Sequence, residues 1–77
     1  MVYVRKNQPL RAKRTFEKKT VGNGETVIVQ AGTLWTVFAV EHDEAAITSV
    51  APFPGPATVT IRISLQESFF DKDWELA

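Results

Sequence analysis

Residues 57–65, ATVTIRISL, alternate strictly: Val59, Ile61, Ile63 and Leu65 fall on one parity, Thr58, Thr60, Arg62 and Ser64 on the other. Successive side chains of a strand point to opposite faces, so the segment predicts a strand with one buried and one wet face. Almost every other segment reads the same way. TVIVQ (26–30) is short and β-branched, and AAITSV (45–50) is a weaker strand. TLWTVFAVE (33–41) places Leu34, Thr36, Phe38 and Val40 on one face and Trp35, Val37 and Ala39 on the other. In PLRAKRTFEKK the alternate positions Leu10, Ala12, Arg14 and Phe16 are only partly apolar. That pattern predicts an edge strand, where lysines deter pairing with another chain.

Turn residues separate these pieces. GNG (22–24) supplies the positive φ angles of a tight hairpin, QAG (30–32) ends one strand before the next, and EHDE (41–44) reads as a hairpin tip. PFPGP (52–56) lacks the donors a central strand needs and reads as a rigid loop. After Leu65 the texture changes. A helical or 3₁₀ turn around Gln66–Phe70, then a last strand Asp73–Leu76, is the expectation.

Five or six short strands with a late helical turn describe an all-β chain, a small and strongly bent barrel of one domain over residues 1–77. The layout resembles an SH3-like barrel, in which a 3₁₀ turn precedes the final strand; an OB-like or meander sheet is the alternative. The texture GTLWTV…VTIRIS…FFDKDWEL also resembles small phage or mobile-element proteins of bacteria, a likeness that implies no specific activity.

With 77 residues the chain buries about 60% of its unfolded surface and folds with little margin, which self-association as a homodimer would relieve. There is no cysteine for disulfides or thiolate metal sites, no apolar run long enough to span a bilayer and no signal-peptide pattern. A soluble cytoplasmic domain without membrane contact is therefore expected.

Little here predicts catalysis. His42 is the single histidine, and its neighbours Glu41, Asp43 and Glu44 alternate in direction on an extended chain. A metal would need ligands from a second segment, so a solvated hairpin tip with His42 as a rim contact is the simpler reading. Asp71, Asp73 and Glu75 share a parity in DKDWE, but no calcium-loop pattern surrounds them. No nucleophile–base pair, metal site or cofactor site assembles from these residues, so an enzyme is not expected.

Charge is the uneven feature. Residues 1–19 carry seven Lys/Arg against Glu17, a net of +6, while residues 20–77 carry a net of −6. Two explanations compete. Lys13, Arg14, Lys18 and Lys19 face Asp71, Asp73 and Glu75 if the last strand lies beside the first. Alternatively Arg5, Lys6, Arg11, Lys13 and Arg14 track the phosphates of a nucleic acid.

The chain is rich in large aromatics for so small a barrel. Placing Leu34, Phe38 and Val40 inside with Val59, Ile61, Ile63 and Val27 or Ile28 leaves Trp35 half-buried on the outside, near Phe69, Phe70 or Trp74. The leading expectation is a non-enzymatic protein-binding module, accessory or adaptor in kind. Trp35, Phe53, Phe69 and Trp74 would be its anchors, with His42 and the basic strand at the rim. The alternatives are nucleic-acid binding through the basic strand and inhibition of a nucleic-acid enzyme by the acidic half.

Overall fold

A computed structural model describes residues 1–50 and 58–77. Seven strands and one helix follow in order: β1 (Pro9–Ala12), β2 (Phe16–Lys19), β3 (Thr26–Val29), β4 (Leu34–Glu41), β5 (Glu44–Ser49), β6 (Thr60–Ser64), α1 (Glu67–Asp73) and β7 (Trp74–Leu76). Five form one curled antiparallel sheet in the order β6-β5-β4-β1-β7, and β2 and β3 form a separate hairpin. A single bridge, Thr20 to Ile61, ties that hairpin to β6. The expected small bent barrel, with its helical turn before the last strand, is present.

Local chemistry explains the joints. Gly22 and Gly24 take positive φ in the β2–β3 hairpin, and the Asn23 side chain accepts from the Glu25 N–H at 3.0 Å. At the β4–β5 tip His42 itself adopts φ 51°, and Asp43 C=O accepts from Leu65 N–H at 2.7 Å. Gly32 turns the chain into β4 with φ +86°, and no heavy atom lies within 4 Å of where a Cβ would stand. Its requirement is thus conformational rather than steric. Gly32→Ala is expected to cost about 1 kcal/mol and to lower the melting temperature by about 4–8 °C in a thermal circular-dichroism scan. Gly32→Asn should lose less, because Asn tolerates this region of backbone space better.

The basic segment is two strands, not one edge strand. Lys13 to Thr15 bend between β1 and β2, and β1 lies in the sheet interior, paired with β4 on one side and β7 on the other. Leu10 and Ala12 are buried there, so this strand's inward parity is fully apolar. The break at residues 13–15 separates that parity from the exposed Lys13 and Arg14.

Up to the bulge at Phe38, the inward face of β4 is the reverse of the one its sequence suggests. Trp35 and Val37 are fully buried, whereas Leu34, Phe38 and Val40 are 40%, 60% and 43% exposed. Directly paired residues of antiparallel strands share a face. Trp35 lies opposite Leu10 on β1 and Val37 opposite Ile47 on β5, while Ile47 in turn lies opposite Ile61 on β6. Those partners commit Trp35 and Val37 to the interior. The pairing then shifts between Val37 and Ala39, a bulge that leaves Phe38 as the extra residue. Ile61 and Ile63 are core residues as expected; on β3 the core residue is Val29 rather than Val27 or Ile28, since Val27 packs at the margin with Val59 and Ile28 points outward at 56% exposure.

The core closes around two tryptophans, whose rings meet edge to face with centroids 6.0 Å apart. The buried indole of Trp35 donates from Nε1 to Thr33 Oγ1 at 3.1 Å, and that hydroxyl donates to Gln30 C=O at 2.6 Å. Ser49, the one buried polar residue among those described, accepts from Val59 N–H at 2.9 Å. The first eight residues are anchored too. Val2 N–H donates to Leu65 C=O and Asn7 N–H to Val37 C=O, both at 2.7 Å, while Val2 and Val4 pack on the core.

Candidate functional site

Helix α1 places two adjacent phenylalanines in opposite environments. Gln66 C=O accepts from the N–H groups of Phe69 and Phe70, starting the helix, and Trp74 leaves it in an extended conformation. Neighbouring positions on a helix are about 100° apart, so Phe70 enters the core while Phe69 stays 59% exposed. Phe69 stands at a hollow of about 140 Å³ whose other walls include Phe16, Lys18, Ile63, Asp73 and Trp74. Phe16 meets Trp74 edge to face, centroids 5.8 Å apart. Three aromatic side chains from β2, α1 and β7 therefore converge at one opening.

One wall of that hollow is held electrostatically. The Arg14 guanidinium lies 5.2 Å from the centroid of the Phe16 ring and pairs through Nε with Asp73 Oδ1. Lys13 Nζ donates to the backbone carbonyl of Asp71. Across the β1–β7 ladder, Arg11 sits opposite Glu75. The internal charge pairing expected of the first and last strands is present for Arg14 with Asp73, and Arg11 and Glu75 are cross-strand neighbours. Lys18 and Lys19 instead lie opposite Val27 and Thr26 on β3.

The anticipated aromatic patch is only partly a surface. Trp35 and Trp74, at 0% and 2% exposure, are core residues and cannot serve as exposed anchors; Trp74 contributes the floor of the hollow rather than its rim. Phe53 lies outside the described residues. Phe69 is exposed as expected, and His42 is exposed at the hairpin tip. The structure brings Phe69 and Trp74 to one place and adds Phe16 and Lys18, which the sequence reading left out of the site. Their shared parity on β2 was the available signal.

The basic residues do not form one track. Arg5 and Lys6 sit in the N-terminal turn beside Asn7, while Lys13 and Arg14 are engaged at α1. Beyond the Thr20–Ile61 bridge, Arg62 lies 3.8 Å from Glu41 and 4.0 Å from Glu44 on the outer face of the sheet. A second hollow, about 220 Å³, opens on that face between Val21, Phe38, Ala46 and Arg62. Among the described residues no group of three or more His, Cys, Asp or Glu side chains is placed to hold a metal, and no helix is long and apolar enough to cross a membrane.

Comparison with protein-family models, with curated proteins and with solved structures finds no match to this chain.

Proposed function

We propose that this domain is a non-enzymatic protein-binding module whose contact site is the aromatic hollow of Phe16, Phe69 and Trp74. The observation that carries the reading is Phe69, a large aromatic side chain held out of the core at the mouth of a hollow already walled by two other rings. Exposed aromatic anchors beside preformed concavities are where interface energy concentrates. Arg14, fixed by Asp73 and Phe16, and Lys18 give the site a polar rim. Rings held by packing and an ion pair lose little freedom on binding, which favours recognition over loop rearrangement.

The test is a pull-down of tagged protein from native lysate, with and without nuclease, beside the Phe69→Ala variant. Phe69 is exposed, so its removal should leave stability within about 0.5 kcal/mol. Loss of an anchor of this kind should cost about 2 kcal/mol of binding, roughly thirtyfold in Kd. Prey that resists nuclease and is lost with Phe69→Ala supports the module. Prey that disappears with nuclease and is retained by Phe69→Ala would transfer the function to the basic residues Arg5, Lys6 and Arg11.

A further inference from the structure

We infer that the segment this site takes is an extended acidic peptide carrying one bulky apolar side chain, laid in the cleft where β2 and β6 part. The inference rests on the protein-binding reading and names the chemistry of its partner.

The cleft follows from the sheet connections. β2 and β6 meet at the Thr20–Ile61 bridge, where Val21 N–H donates to Thr60 C=O at 2.9 Å. Among the described residues no named ladder joins β2 to β6 beyond that point. Two hollows occupy the divergence. One is the aromatic hollow; the other, about 630 Å³, has Glu17, Lys18, Lys19, Glu44 and Arg62 in its walls. Lys18 borders both, so a segment laid between β2 and β6 would lie against the two hollows on either side of it.

Main-chain groups face it as well. Thr20 N–H donates to Glu25 C=O at 2.8 Å, and the antiparallel ladder alternates from there. Lys18 and Phe16 thus turn their backbone groups toward β3, and Glu17 turns its N–H and C=O away from β3 into the cleft. An extended peptide beside β2 can use that edge, which no ladder among the described residues pairs there, as in strand addition, while its side chains enter the hollows.

Charge selects the kind of peptide. Lys18 and Lys19 form no ion pair among the described residues, and Arg62 is only loosely held by its two glutamates. An apolar side chain in the aromatic end leaves the following residues against these cations. Phe16 to Lys19 spans about 10 Å of strand, so acids about two to four positions from the anchor are in reach. A nucleic-acid strand fits less well. Its regularly spaced phosphates would meet Glu17, Glu44 and Asp73 in the same walls, whereas a peptide can place its acids selectively.

A random dodecapeptide library displayed on phage and panned against the immobilised full chain tests this. Enriched sequences would be titrated as fluorescein-labelled peptides, with a labelled oligothymidylate in parallel. Sequences pairing a bulky apolar residue with nearby Asp or Glu, and binding about tenfold more weakly to Lys18→Glu/Lys19→Glu, support the inference. The double variant should keep the wild-type melting temperature, which separates lost binding from lost folding. Enriched peptides that are neutral or basic, yet depend on Phe69, overturn the acidic partner and leave the protein-binding reading standing. No enrichment, or binding indifferent to Phe69→Ala, overturns both. Tighter binding of the oligothymidylate overturns the peptide in favour of a nucleic acid.

Discussion

Trp35→Ala is expected to destabilise the domain by about 3–5 kcal/mol, the range for truncating a buried aromatic residue. Folded domains hold about 0.05–0.15 kcal/mol per residue, so a chain of 77 residues has on the order of 4–12 kcal/mol in total. The substitution should therefore remove between about a quarter and all of the stability. Three losses act together: the cavity left by the indole, the edge-to-face contact with Trp74, and the partner of Thr33 Oγ1. Urea unfolding followed by far-ultraviolet circular dichroism gives the number directly. Trp35→Phe keeps a ring against Trp74 and should lose less than half as much. A surface Trp35 would instead show a change within about 0.5 kcal/mol, the usual range for an exposed position. Such a result would return Trp35 to the list of interface anchors.

The reason Trp35 was hard to place lies in β4 itself. Both parities of TLWTVFAVE are apolar, so a period of two cannot choose between them. The choice is made by residues far away in sequence, Leu10, Ile47 and Ile61, whose pairing puts Trp35 and Val37 on the buried side. The bulge at Phe38 then changes the parity within the strand, a break no alternation count can register. By contrast β6 was legible at once. Its outward parity is Thr60, Arg62 and Ser64, and Ile61 and Ile63 could only face inward.

The site divides along the same line. The exposure of Phe69 follows from adjacency on a short helix, where one ring stays out when its neighbour Phe70 goes in. Asp73 was legible as the partner of a basic first strand, since a small barrel tends to close its last strand on its first. Trp74 was misread because its burial depends on Phe16 and Trp35 packing against it from two different strands. The place of Lys18 beside both hollows was hidden for a related reason. It comes from a divergence between β2 and β6, which is a property of how the hairpin docks rather than of either strand alone.

The interior position of β1 supplies the second large effect. Arg11→Pro is expected to cost about 3 kcal/mol, although Arg11 is an exposed and charged residue. Lys13 N–H donates to Asp73 C=O and Ala77 N–H to Pro9 C=O, so the alternation of the ladder directs the N–H of Arg11 toward Glu75 on β7. Proline removes that donor and stiffens φ in a strand paired on both sides by β4 and β7. Arg11→Ser keeps the donor and loses only the side chain, so its cost should stay below about 1 kcal/mol. The comparison isolates the backbone. On an edge strand with its N–H toward solvent, proline is tolerated and both variants would unfold at similar urea concentrations. A gap between the two midpoints is therefore the signature of a β1 held from both sides. The same gap ties the basic segment to folding, since it shows that the chain around Arg11 is already committed to two neighbours before any partner arrives.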